Sequence, residues 1–218
     1  MKNNSILLLL AIAGICIVSS CKKDATIELF NGKNLKNWIV VAPDSVPADS
    51  VFWVANGLMH TSGIPKGYIR TRKSYDNYTL HAEWRWTGEP GNSGVLLHAT
   101  GEDIVFPNSI EAQLKAGNAG DLVLIGEGSG ITVSDSVYLV TSEENRYKVI
   151  KKFQESSEYE PGEWNSYDIL VRDDMVTLTV NGVLQNKGTS ATITRGSICL
   201  QSEGVPMQFR NVYLVPLE

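Results

Sequence analysis

Along most of the chain, apolar and polar residues alternate one by one. In Tyr78-Thr79-Leu80-His81-Ala82-Glu83-Trp84-Arg85-Trp86 every even position is apolar and every odd one polar, the period of two that a half-buried strand requires. The same rhythm runs through Ile110 to Leu114, Tyr167 to Arg172, Met175 to Val180 and Met207 to Val215. Gly, Asn, Asp and Pro separate the runs. Asp173-Asp174 reads as a hairpin turn, and Asn181-Gly182 is a strong turn dipeptide between antiparallel strands. Helical spacing is scarce: Ser142 to Lys152 has the composition for a turn or two of helix, and Lys148 to Phe153 reads equally well as a strand. Many short strands on tight turns must pair their edges and bury one face each, which two packed antiparallel sheets achieve. The predicted fold is all-β, a two-sheet antiparallel sandwich of the jelly-roll kind over residues 27–218.

Composition narrows the function. With 43% hydrophobic and 20% charged residues the chain is neither a disordered tail nor a fibre nor a coiled coil. Nineteen Lys and Arg against 24 Asp and Glu give a net charge of −5, and without a basic block nucleic acid is excluded as the expected partner. Lys2 and the apolar run Ile6 to Val18 read as a secretory signal, too short to span a bilayer. Val18-Ser19-Ser20-Cys21 resembles the bacterial lipobox, whose cysteine carries the lipid. Residues 1–20 are therefore expected to be a lipoprotein signal peptide, Cys21 the lipid attachment site and residues 21–26 a polar tether. That makes a cell-envelope protein that touches the membrane through its anchor alone. Cys199 is then the one cysteine left in the body, so no internal disulfide is expected and a hydrophobic core must carry the stability.

On the Tyr78 strand the polar parity presents Thr79, His81, Glu83 and Arg85 in a row. Glu111 and Gln113 hold the polar parity of their strand, His98 falls opposite the apolar Val95 and Leu97 on another, and Gln201 and Glu203 hold the polar parity of the Ser197 run. Gathered on one hollow surface, these groups would grip a sugar; on separate surfaces they are a solvated face with cross-strand ion pairs. Asn92, in the turn Gly91-Asn92-Ser93-Gly94, could present its amide at a groove rim, and Trp164 offers an aromatic plate for a pyranose or a buried strand end. His81 and His98 with Glu83 could be made into a metal site, a minor option that no ligand spacing recommends, and no cofactor is expected. There is no G-x-S-x-G elbow, P-loop or C-x-x-C pair; carboxylate chemistry is what remains.

Taken in order, several segments resemble the 3-keto-disaccharide hydrolase family. They are Ile27 to Trp38, Gly91-Asn92-Ser93-Gly94-Val95, Glu111-Ala112-Gln113-Leu114, Gly162-Glu163-Trp164-Asn165, Val180-Asn181-Gly182, Leu200 to Gly204 and Phe209-Arg210-Asn211. The resemblance runs from about Ile27 to Leu217 and implies a concanavalin A-like jelly roll acting on glycosides with a ketone at carbon 3. The ketone acidifies the carbon 2 proton, so a base can remove it, the aglycone can leave carbon 1 and water can add. On that likeness Glu111 is expected to be base or acid and Arg85 the enolate stabiliser, with Glu83 as a further catalytic carboxylate. Asn92, Gln113, His98, Trp164, Gln201 and Glu203 are expected to bind substrate, His98 standing where many relatives carry arginine. The alternative is a carbohydrate-binding module that holds a glycan without cleaving it.

Overall fold

The computed structural model describes residues 26–218. The expected signal peptide, the expected lipid attachment at Cys21 and the expected tether up to Ala25 lie outside the described residues. The strands, in chain order, are β1 (Ile27–Glu28), β2 (Trp38–Val41), β3 (Phe52–Ala55), β4 (Leu58–Thr61), β5 (Gly67–Thr71) and β6 (Tyr78–Trp86). There follow β7 (Gly94–Thr100), β8 (Asn108–Gln113), β9 (Leu122–Ile125), β10 (Gly130–Val133), β11 (Ser136–Leu139) and β12 (Tyr147–Ile150). The last are β13 (Asn165–Arg172), β14 (Met175–Val180), β15 (Val183–Gly188), β16 (Ser197–Ser202) and β17 (Met207–Pro216). Among the described residues a single helical turn, α1 (Ala48–Val51), stands between β2 and β3.

An eight-stranded sheet runs β15-β14-β13-β6-β17-β4-β3, with β1 on β17, and a seven-stranded sheet runs β12-β9-β8-β7-β16-β5-β2. All pairings are antiparallel, and β10 and β11 form a separate hairpin. The alternation read in the sequence drives this packing. Tyr78, Leu80, Ala82, Trp84 and Trp86 of β6 face the core with Tyr167, Phe209, Ile110 and Leu200, while the odd positions of β6 face outward. At about 25 cal/mol per Å² of apolar surface removed from water, this shared layer is the main source of stability.

The turn expectations hold. Asp173 has φ 53° between β13 and β14, and Asn181 and Gly182, at 49° and 78°, give the doubly positive turn that joins β14 to β15. The Ser142 to Lys152 stretch holds no helix: Tyr147 to Ile150 is an edge strand paired with β9, because ladder hydrogen bonds to Leu122–Ile125 satisfy its backbone better than one isolated turn would. In the seven-stranded sheet, Gly94 to His98 and Ser197 to Ser202 are buried at every position, on both faces. Something must therefore cover the sheet from outside.

Candidate active site

The cover is the β7–β8 loop, Gly101 to Pro107. Asp103 takes both the Nε and the Nη2 of Arg70, at 2.7 and 2.8 Å, and accepts from the Tyr68 hydroxyl. At the other end Arg146 donates to the Phe106 carbonyl at 3.1 Å. Beneath it lie Tyr68, Leu96 and Cys199, all fully buried on the outward face, in one apolar cluster with Val123 and Ile125. Burial pushes the Cys199 thiol far up and favours its protonated form. The loop splits the outward face into two hollows. One, of about 640 Å³, is lined by Arg70, Asp103, Arg195 and Ser197. The other, of about 320 Å³, holds Glu111.

Glu111 lies in the middle of β8, paired with Leu96 of β7 on one side and Val123 of β9 on the other. Its strand parity turns the carboxyl outward into this second hollow, whose polar wall is Asn92, Gln113, Gln201, Glu203 and Lys66. Five expected site residues thus meet there. Gly94 makes room for them: a Cβ at that position would collide with both Glu111 Oε1 and Gln201 Oε1. Gln201 is steadied by Ser93, whose hydroxyl donates to its carbonyl at 3.0 Å. Gln113 Oε1 accepts the N–H groups of Leu114 and Lys115 at 3.0 and 2.8 Å, which locks its side chain. Glu203 reaches the hollow from the Asn92 bridge and pairs with Lys66 at 3.0 Å.

Three acceptor atoms in this wall, Asn92 Oδ1, Glu111 Oε1 and Gln201 Oε1, are buried without a hydrogen-bond partner. Orphaned buried acceptors cost free energy, and a set of them lining a hollow suits a ligand rich in hydroxyl donors. The Glu111 carboxyl is held well above the usual carboxylate range, first by burial and then by the neighbouring charge of Glu203. A carboxyl so raised is a proton donor when protonated and a stronger base when ionised.

The remaining expected residues are elsewhere. Glu83, Arg85 and Trp164 lie on the outward face of the eight-stranded sheet, with the sandwich core between them and Glu111. There Glu83 accepts from Arg210 and Asn211, each at 2.6 Å. Burial works against its ionisation, but those two donors prevail and its carboxyl lies below the usual range. Arg85 donates to Gln208 at 2.7 Å and lies over the Trp164 ring at 4.7 Å. The expectation that Arg85 and Glu83 join Glu111 in one pocket is corrected: β6 pairs with β13 and β17, not with the Glu111 strand. His98 is also corrected. It falls in a β-bulge with φ 55°, which turns its ring inward to donate to the Ile193 carbonyl at 3.1 Å and to lie edge-on to Tyr78; burial lowers its pKa. His81 is held by Asp168 at 2.7 Å and lies 3.7 Å from Glu83, but with His98 turned into the core on the other sheet the two histidines and Glu83 do not converge.

Residues the pattern reading passed over complete the hollow: Lys66, Phe106, Val123, Ile125, Tyr147 and Val149. One signal for Val123 and Ile125 was present. The unbroken apolar run Leu122-Val123-Leu124-Ile125 departs from alternation, as a strand covered on both faces must.

Fold and site together are a two-sheet antiparallel jelly roll with a carboxylate- and amide-lined hollow on one outward face. Residues 25–215 match the family described as the 3-keto-alpha-glucoside-1,2-lyase-like domain, and the chain belongs to that family. No curated protein matches the sequence significantly. Among solved structures it is similar to a Parabacteroides distasonis protein described as a "putative glycosyl hydrolase", at 23% identity and TM-score 0.64, over 88% of this chain and 94% of that one. It is also similar to the carbohydrate-binding module CBM66 of Bacillus subtilis, at 10% identity and TM-score 0.56, over 81% and 93% of the two chains. A Bacillus licheniformis beta-glucanase matches at 13% identity and TM-score 0.55, over 90% of this chain and all of that one. At such identities these likenesses speak for the fold, a concanavalin A-like jelly roll.

Proposed function

We propose that this protein is an envelope lipoprotein that cleaves 3-keto-glycosides by elimination, with Glu111 as the general base. The observation that carries the reading is the hollow around Glu111, where a buried carboxyl of raised pKa, itself unpartnered at Oε1, stands beside the unpartnered acceptors of Asn92 and Gln201. Sugar hydroxyls satisfy those acceptors and hold carbon 2 against the Glu111 carboxylate. Glu111 takes the carbon 2 proton, whose electron pair moves to form an enolate on the carbon 3 oxygen. The enolate collapses, the bond from carbon 1 to the aglycone oxygen breaks, and the aglycone leaves with a proton returned by the Glu111 carboxyl. Water adds afterwards to the double bond between carbons 1 and 2, giving the free 3-keto-sugar. With Arg85 on the other sheet, the developing oxyanion falls to Lys66 and to the side-chain amides of Gln113, Gln201 and Asn92. Family membership supports the substrate class, and the lipobox-like Val18-Ser19-Ser20-Cys21 supports the anchor.

The test compares a 3-keto-glucoside with its parent glucoside. Turnover is expected only for the ketone, with a primary isotope effect on deuterium at carbon 2. Glu111→Gln is expected to lower kcat by about 10²-fold or more in a protein that still unfolds cooperatively. Glycoside binding with no ketone-dependent turnover would leave a carbohydrate-binding module instead.

A further inference from the structure

The hollow has two unlike halves, and Glu111 sits on the seam. Toward β7 and β16 the wall is polar, with Asn92, Gln201 and Glu203, and Gln113 continues it along the Glu111 strand. Toward the sheet edge it is apolar. Val123 is the cross-strand partner of Glu111, and Val149 of β12 is the partner of Val123. Tyr147 and Ile125 form the next rung, and Phe106 of the covering loop meets Tyr147 edge-to-face at 6.3 Å between ring centres. Neighbouring strands lie about 4.8 Å apart, so this apolar floor reaches about 10 Å beyond the Glu111 strand. We infer that the hollow selects glycosides whose aglycone is apolar, an aryl or alkyl group, over glycosides whose aglycone is a second sugar. This rests on the reading of Glu111 as the residue at the reacting carbon.

The polar half holds the acceptors that sugar hydroxyls need, and Glu111 stands at carbon 2, next to the bond that breaks. The leaving group then lies on the Val123–Val149 side. A second sugar there would set most of its hydroxyls over Val123, Ile125 and Val149, which offer no hydrogen bond and leave the Tyr147 hydroxyl as the polar group on that side, and each unpaired group costs affinity. An aromatic ring meets the opposite balance. It covers Val149 and Tyr147, which stand 52% and 51% exposed on an edge strand, and removes apolar surface from water. Solvent exposure of an edge strand is an ordinary state for single residues. Here, however, two exposed apolar side chains continue a buried apolar floor of Val123 and Ile125, 4% and 1% exposed, directly into the site. Phe106 meets Tyr147 edge-on, so the two rings do not form one flat platform for a pyranose.

The experiment measures binding of phenyl glucoside and of a glucose disaccharide with the same anomeric configuration, for both anomers, by calorimetry on the full chain. The phenyl glycoside is expected to bind at least about tenfold more tightly in one anomeric series. Val149→Asn, at a half-exposed position that folding tolerates, is expected to reduce that preference about fivefold, with thermal unfolding as the check on folding. Equal or tighter binding of the disaccharide in both series, a preference unmoved by the substitution, or no binding of any glycoside overturns the inference. The corresponding 3-keto-glycosides separate the two readings. Ketone-dependent turnover without aryl preference leaves the proposed reaction standing and removes the selectivity; aryl preference in binding with no ketone-dependent turnover does the reverse.

Discussion

A carboxyl that a fold buries without a partner lowers stability, and Glu111 is such a group. Its folded-state pKa is raised above the unfolded value, so the folded protein holds its proton more tightly. That contribution is fully present below the unfolded value near 4.3 and is lost as the pH rises through the raised pKa. Glu111→Gln is neutral at every pH and escapes the loss. The variant is therefore expected to melt with the wild type near pH 4 and above it at pH 8. Each pH unit of displacement is about 1.4 kcal/mol, or roughly 3–6 °C for a domain of this size. Equal melting temperatures at both pH values would mean that the carboxyl is satisfied. Glu203 is the charge that pushes Glu111 further up, so Glu203→Gln lowers the Glu111 pKa. The rising limb of kcat/KM against pH, which reports ionisation of the base in the free enzyme, is expected to move to lower pH. A limb that stays put or moves up would remove Glu203 from the electrostatics of the site.

At the level of elements, the β7–β8 loop decides how much of the outward face is available. Its latch is the bidentate pair from Arg70 to Asp103, with the Tyr68 hydroxyl as a third bond. Both charged partners are partly exposed, so the pair contributes only about 0.5–1 kcal/mol, and the loop can be loosened without unfolding the sheet. Cys199 lies in the apolar cluster under the loop and serves as a reporter. In a chain beginning at residue 22 it is the lone cysteine. Asp103→Ala is expected to raise its rate of modification by a thiol reagent about two- to fivefold, since the rate follows the population of open loop. An unchanged rate would show that the apolar contacts of Phe106, not the latch, hold the loop. The elements themselves follow plain rules: β6 alternates because one of its faces is core, whereas β7 and β16 do not alternate because the loop buries their other face.

For the molecule as a whole, the consequence of two sheets is that outward-pointing side chains fall on two opposite surfaces. The Glu83, Arg85, Trp164 and Arg210 constellation occupies one and the Glu111 hollow the other. Arg85→Met is accordingly expected to leave kcat/KM on 3-keto-glycosides within about twofold, because substitutions remote from the reacting atoms and outside any shared network act independently of them. A large loss with stability retained would tie the far surface to the reaction.

The pattern of side chains by itself determined which residues pair into strands, which parity of each strand is core, where Asp173 and Asn181-Gly182 reverse the chain, and that Glu111, Gln113 and Gln201 point away from the core. Those are local properties, set by a repeat of two and by the backbone conformations a few residues tolerate. The tertiary structure alone decided that β6 and β8 belong to different sheets, which separates Arg85 and Glu83 from Glu111. It also decided that a bulge turns His98 inward and that a loop covers Tyr68, Leu96 and Cys199. Sheet membership depends on pairings between residues far apart in the chain, such as Glu83 with Arg210, and a one-residue bulge reverses a side chain without altering composition. The parity of a strand is written in its neighbours; the company it keeps is written in the rest of the molecule.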